Sequence, residues 1–258
     1  MKDDEYLCFD FFVEEHIAHV RFNRAALHNR FDRELHSEFP AVLEQMARNK
    51  YIRACIISAE GRSFSAGGDL ELILEGNASS AVRERLTAEA RSIIYGLLDL
   101  PFPVLAAVHG ATIGLGASVI GCCDIVVACR DAQIADPHVL LGLVAGDGGI
   151  LAWSQSVGIM RAKRYLLTGD AISGAEAHAM GMVTDLVEKP EDVLPAAVAI
   201  AEKLVKLPRG GVRGTKQAFA ELTRELLGAA FERSLAYEME TLSGDEVFEV
   251  VSRALTKK

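Results

Sequence analysis

The sequence predicts an α/β protein in which strands alternate with helices, followed by an all-helical C-terminal segment. Three observations carry that prediction. Short runs rich in β-branched and aromatic residues precede amphipathic stretches as far as about residue 189. Two of these runs pass into glycine-rich junctions that open helices, Ser65-Ala66-Gly67-Gly68-Asp69-Leu70 and His109-Gly110-Ala111-Thr112-Ile113-Gly114-Leu115-Gly116-Ala117. Beyond residue 189 the strand signal disappears and apolar residues recur at helical spacing. The predicted division is a core over residues 1–189, carrying both junctions, and a helical subdomain over 190–258.

In chain order, residues 6–13 and 16–22 read as a hairpin interrupted by Glu14-Glu15. Phe31, Leu35, Phe39, Val42, Leu43 and Met46 then fall on one helical face, with Asp32 in the first turn and Pro40 predicted to kink the helix. Residues 51–58 form a strand leading into the first junction, and a helix follows over roughly 78–98. The intervening stretch 71–83 carries no readable code and is expected to build part of a pocket wall. Residues 104–108 form the strand before the second junction, whose helix starts near Gly114. Strands alternating with helices imply right-handed parallel crossovers. Ser173 and Glu176 make a capping box, and Gly181 suits the C-terminal cap of that short helix. Helices are predicted over 191–206, 212–222, 226–242 and 245–255, with the chief break at Pro208-Arg209-Gly210-Gly211.

A chain of 258 residues, half of them hydrophobic, buries one large core or a core with a small appendage. Its net charge of −9 argues against a nucleic-acid partner, which a basic face would serve. Five cysteines (Cys8, Cys55, Cys122, Cys123, Cys129) show no metal-ligand spacing and read as reduced thiols, so no metal is expected. The acidic start Met1-Lys2-Asp3-Asp4-Glu5 does not read as a signal peptide, and no apolar stretch reaches membrane-spanning length uninterrupted. A cytoplasmic protein is the expectation.

A strand–glycine–helix junction leaves backbone N–H groups unpaired at a helix start. Two such junctions facing one point make a two-donor oxyanion hole, which polarises a carbonyl and stabilises the enolate or tetrahedral oxyanion formed from it. The segments Val20-Arg21-Phe22-Asn23-Arg24, Leu27-His28-Asn29, residues 64–70, residues 106–124, Ala135-Asp136-Pro137-His138, Gly142-Leu143-Val144, Leu166-Leu167-Thr168-Gly169, Ile172-Ser173-Gly174-Ala175-Glu176-Ala177 and Gly181-Met182-Val183 follow in order. With that ordered set the chain resembles the crotonase (enoyl-CoA hydratase/isomerase) superfamily over nearly its whole length. The resemblance implies a spiral core of ββα turns, an acyl-coenzyme A thioester as substrate, and backbone oxyanion donors at Gly68 and Leu115. It assigns Leu27, His28, Ala66, Gly68, Asp69, Leu70 and Gly114 to the surface that holds the acyl-CoA. Coenzyme A enters only as part of the substrate, so no separate cofactor is expected. A homotrimer or hexamer is also implied, packed through C-terminal helices whose apolar faces here include Phe219, Leu222, Leu226, Phe231, Leu235 and Leu242. The family's basic C-terminal element is not evident.

Hydratases of the family carry two catalytic glutamates, and the matching positions are Ser118 and His138. A serine needs an activating partner to act as a base, whereas a histidine titrates close to neutrality by itself. Asp147, within Ala145-Gly146-Asp147-Gly148-Gly149, matches the acidic base of some family isomerases; capping the helix that follows is its alternative role. His138 and Asp147 also resemble a branch of β-diketone hydrolases that cleave C–C bonds by a retro-Claisen route. That branch adds a C-terminal glutamate, matched by Glu238 or Glu240. A further histidine of the branch matches Asp32, with His36 expected on another helical face. Three readings follow: a hydratase- or isomerase-type acyl-CoA enzyme, a β-diketone hydrolase, and a catalytically silent oligomeric binding protein.

Overall fold

The computed structural model describes residues 6–256, so the acidic start and Lys257-Lys258 lie outside the described residues. The hairpin forms as β1 (Phe9–Glu14) and β2 (Ile17–Phe22), paired from Phe9↔Phe22 to Glu14↔Ile17. Its turn falls one residue later than the sequence suggested. Glu15 and His16 both take positive φ (45° and 71°), the geometry of a tight hairpin whose twist matches its strands.

Helix α1 (Arg33–Arg48) opens on Asp32, whose side chain accepts from the Leu35 N–H. Pro40 does not break it. An interior proline costs about 3 kcal/mol, but Leu35, Phe39, Val42, Leu43 and Met46 are buried on one face, each worth about 1.5–3 kcal/mol. Strand β3 (Ala54–Ala59) leads to the first junction. The helix expected over roughly 78–98 forms as α3 (Ser80–Asp99), capped by Ser79, and a further helix, α2 (Leu70–Ala78), capped by Asp69, precedes it. Residues 71–83 are therefore helical apart from Ser79, whose extended backbone separates α2 from α3.

The chain continues through β4 (Val104–Val108), β5 (Ala111–Ile113), α4 (Leu115–Gly121), β6 (Ile125–Cys129) and β7 (Gln133–Ala135). After a 3-10 turn at His138–Leu141 come α5 (Gly149–Val157), α6 (Ile159–Leu166), β8 (Ile172–Ser173), α7 (Gly174–Met180) and β9 (Asp185–Val187). The capping box at Ser173 and Glu176 is complete, and Gly181 closes α7 in the left-handed region. A six-stranded sheet runs β1-β2-β3-β4-β6-β9, parallel except for β1–β2, and a small sheet runs β5-β7-β8. An isolated bridge, Ser65↔Thr112, ties the chain after β3 to β5. Thus β3 with Ser65, β4 with β5, and β6 with β7 are successive turns, each adding a rung to both sheets. This is the expected ββα spiral.

After Lys189 the chain is helical apart from the short connections: α8 (Pro190–Lys206), α9 (Arg209–Thr223), α10 (Ala229–Leu242) and α11 (Asp245–Leu255). A π-helical turn over Arg224–Gly228 joins α9 to α10, where the sequence suggested a gap. Gly210 and Gly211 lie inside α9, so the break is at Leu207-Pro208. Helix α8 buries Val193, Ala197 and Ala201 in the main core, and α10 adds Phe231 and Leu235. Of the apolar positions proposed to face neighbouring copies, Phe231, Leu235 and Leu242 are buried within the chain, while Phe219, Leu222 and Leu226 are exposed. No helix among the described residues is long and apolar enough to cross a membrane.

Candidate active site

The two junctions meet. The Phe31 N–H donates to the Gly67 carbonyl (2.8 Å), and the Asp69 N–H donates to the Phe31 carbonyl (3.2 Å). A trans peptide points its N–H opposite its C=O, and there are no cis bonds here. The Gly68 N–H therefore faces away from Phe31, and it has no hydrogen-bond partner among the described residues. Gly114 caps α4, its own N–H bonded to the Ala135 carbonyl (2.9 Å), so the N–H of Leu115 is a first-turn donor left unpaired. Gly67 (φ +84°) and Gly114 (φ +55°) make the approach possible: a Cβ on Gly114 would sit 3.8 Å from Gly67 Cα and 3.5 Å from His138 Cε1.

His138 is nearly enclosed and faces three carboxyl groups. Its Nδ1 lies 2.5 Å from Asp136 Oδ1, while Nε2 lies 3.5 Å from Asp147 Oδ2 and 3.8 Å from Glu238 Oε1. The 3-10 turn opening at His138 presents the ring, the Gly146-Asp147-Gly148 turn presents Asp147, and α10 presents Glu238 by helical phase; Glu240 is exposed. Burial works against the imidazolium, but the Asp136 and Asp147 carboxylates outweigh it and hold the His138 pKa well above its ordinary value. Burial, reinforced by the Asp147 charge and opposed by His138, raises the Glu238 pKa well above the usual carboxylate range. The expectation that His138 titrates near neutrality is therefore corrected: its neighbours keep it charged.

Asp147 does not cap α5. The cap position is Gly148, with no side-chain bond, and Asp147 Oδ1 is buried without a partner. Ser118 is fully buried on α4; its hydroxyl reaches only the Gly114 carbonyl (3.5 Å). Asp32 is paired with Arg24 (2.7 Å).

A cavity of about 60 Å³ joins Gly68, Asp69, His138, Asp147 and Glu238, and its wall includes His36 but not Ser118. Sequence reasoning set His36 apart from the site; it reaches the cavity because α1 packs on α3. Asp136 was likewise passed over, read only as part of a motif. Ligand-type atoms of Asp136, His138 and Asp147 lie within 4.8 Å of one another. The short contact to Asp136 at one ring nitrogen and the Asp147 carboxylate near the other account for that grouping as an ion-paired imidazolium. A larger hollow, an open groove of about 1140 Å³ along α9, is walled by Phe219, Leu222 and Leu226 among others and contains none of the proposed site residues.

Leu27 ends a 3-10 turn and His28 takes the left-handed region (φ 53°), with the His28 carbonyl accepting from the Ala66 N–H (2.9 Å). Asn29 fastens this turn from below, its side chain bonding Arg24, Glu60 and Ser63. Asp69 both caps α2 and pairs with Arg30 (2.8 Å), and Leu70 starts α2. The hydrogen bond from Ala66 to His28 thus ties the Leu27–His28 turn to the first junction, where Asp69 and Leu70 follow Gly68.

A family model described as enoyl-CoA hydratase/isomerase matches residues 13–253. The chain belongs to that family. This crotonase is 29% identical over 226 residues, 86% of each chain, to a 2,3-dehydroadipyl-CoA hydratase of Escherichia coli (strain K12). It is also 29% identical over 248 residues (95% of this chain, 94% of the relative) to a 1,2-epoxyphenylacetyl-CoA isomerase of the same organism. A solved enoyl-CoA hydratase/isomerase from Mycobacterium paratuberculosis superposes with a TM-score of 0.92 at 30% identity, covering 97% of this crotonase and 100% of that chain. Enoyl-CoA hydratase/isomerase-type processing of acyl-CoA follows from the family.

Proposed function

We propose that this crotonase is an isomerase-type enzyme in which the N–H groups of Gly68 and Leu115 hold the thioester oxygen as an enolate forms. The observation that carries the reading is the approach of Gly67 to Gly114 beside His138, with both flanking N–H groups unpaired. Asp147 takes a proton from the acyl chain, the enolate is held by the two donors, and His138 or Glu238 returns a proton at another carbon. A charged imidazole and a protonated carboxyl suit the donating role: the Asp136 and Asp147 charges hold the proton on His138 against burial, and burial with the Asp147 charge favours the proton on Glu238. Two-glutamate water addition is disfavoured, because Ser118 lies outside the cavity wall. The Leu27–His28 turn and the first junction are where coenzyme A lies in this reading. The exposed faces of α9 and the following turn support a homotrimer or hexamer, and five unpaired thiols support the cytoplasm.

A second reading is favoured by the gathering of His138, Asp147 and Glu238 at one end of the cavity. That set also suits β-diketone hydrolysis, in which water adds to one carbonyl and the C–C bond breaks to give an acid and a ketone. The test is a turnover panel of crotonyl-CoA, 3-enoyl-CoAs and cyclic β-diketones. Isomerisation of 3-enoyl-CoA with very slow hydration of crotonyl-CoA is the expected result. Diketone cleavage without any thioester turnover would replace the first reading by the second.

A further inference from the structure

His36 has no place in either mechanism. Its side chain is 11% exposed, sits on the cavity wall, and packs edge-on against Phe31 (5.7 Å). Glu89 on α3 places its Oε2 3.8 Å from His36 Nδ1, too long for a hydrogen bond. Both of those atoms are buried without partners, and Arg85 Nε stands 3.7 Å from the other Glu89 oxygen, equally unbonded. Leu72, Ile73, Leu86, Leu143 and Leu235 line the same cavity. A plain hydrocarbon chain is served by such a wall without an imidazole, and a buried polar group without a partner is costly.

We propose, resting on the acyl-CoA reading above, that His36 is a specificity residue that accepts a hydrogen bond from an O–H group on the acyl chain, separate from the reacting atoms. The Glu89 carboxyl beside Nδ1 suits the tautomer with the proton on that nitrogen, which leaves Nε2, without a hydrogen bond among the described residues, as the acceptor. Burial supports the neutral ring, pushing its pKa down to about 4 against Asp147 and Asp32, while Arg85 assists. The cavity of about 60 Å³ holds only a few heavy atoms, so the group it takes is small.

Calorimetric binding of 4-hydroxybutyryl-CoA and pentanoyl-CoA, which differ by O–H against CH₃, tests the assignment. Wild type is expected to bind the hydroxylated thioester about tenfold more tightly. His36→Leu should abolish or reverse that ratio while pentanoyl-CoA binding is kept, and His36→Gln, which retains an acceptor, should restore part of it. A melting curve establishes that each variant folds; if His36→Leu does not, His36→Phe replaces it. Equal binding of the two thioesters by wild type, or an unchanged ratio in the folded apolar variant, overturns the His36 assignment alone. Binding of neither thioester overturns the acyl-CoA reading and this assignment with it.

Discussion

Two histidines that line one cavity are held in opposite states. Both are buried, and burial alone drives each towards the neutral ring. His138, between β7 and α5, has Asp136 at 2.5 Å on one nitrogen and Asp147 at 3.5 Å beyond the other, and stays charged. His36, on α1, has Glu89 no nearer than 3.8 Å and Arg85 behind it, and loses its proton. At His36 the Asp147 and Asp32 charges do not offset burial and Arg85, whereas at His138 the contact with Asp136, together with Asp147, overcomes burial. A pair of titratable groups pushed apart in this way separates an acid from a neutral hydrogen-bonding group.

Removing the charged member should have the largest effect. His138→Gln keeps a polar side chain but supplies neither a proton nor a cation, and turnover on the true substrate is expected to fall about 10²–10⁴-fold. Measured kcat/KM in a folded variant checks it; a loss below threefold would leave Glu238 as the sole donor. Asp147→Asn belongs to the same test, and a comparable fall is expected if that carboxylate takes the proton.

The backbone donors come next. Gly68→Pro deletes an N–H that has no partner among the described residues, so no hydrogen bond among them is lost. The expected cost is about 2.7–4 kcal/mol of transition-state stabilisation, with the titration of both histidines unmoved. Retained turnover in a folded protein would show that Gly68 does not donate to the reacting oxygen.

How much of this was legible in the sequence differs between the surroundings of the two histidines. The glycine junctions are legible because a turn needing positive φ, such as Gly67 or Gly114, leaves a local signature. The capping box at Ser173 is legible for the same reason: its partners are three residues apart. The His138 wall is half-legible. His138 and Asp147 stand in motif positions, but the charge on His138 depends on Asp136, whose side chain turns back on a ring two residues away. Glu238 rather than Glu240 reaches the site through the phase of α10, which the π-helical turn before it resets. The His36 wall is illegible, since its contacts span α1, α3 and the Phe31–Gly68 bridge. Pro40 misleads in the same way, because helix strength there is decided by core packing.

The third prediction uses acid stability to read His36. Its folded pKa, about 4, lies below the ordinary value of 6.5, so the unfolded chain binds more protons between those values. Stability from this group is therefore full above pH 6.5 and is lost as the pH falls towards 4, by about 3 kcal/mol at most. His138 has the opposite sign: its contribution is full below pH 6.5 and is lost as the pH rises through its raised pKa. Glu238, also raised, runs in the same direction as His138. The difference in denaturant stability between wild type and His36→Gln removes these shared terms. It should shrink by up to that amount from pH 7 to pH 4.5, and a pH-independent difference would mean that folding leaves the His36 pKa unshifted.

The smallest expected effect bears most directly on the contrast. Asp136→Asn keeps an oxygen able to accept from His138 Nδ1, so the ring keeps its orientation, but the nearest negative charge is gone. The His138 pKa should fall towards its ordinary value, because burial is then opposed mainly by Asp147. If His138 acts as the charged acid, activity is present below its pKa and lost above it. The alkaline limb of kcat/KM against pH should thus move to lower pH in Asp136→Asn, with a loss of about tenfold or less on the acid side. A residue that merely braces the loop would lower the rate at every pH and leave the limb in place. An unmoved limb would make Asp136 a brace and assign the charge on His138 to Asp147 alone.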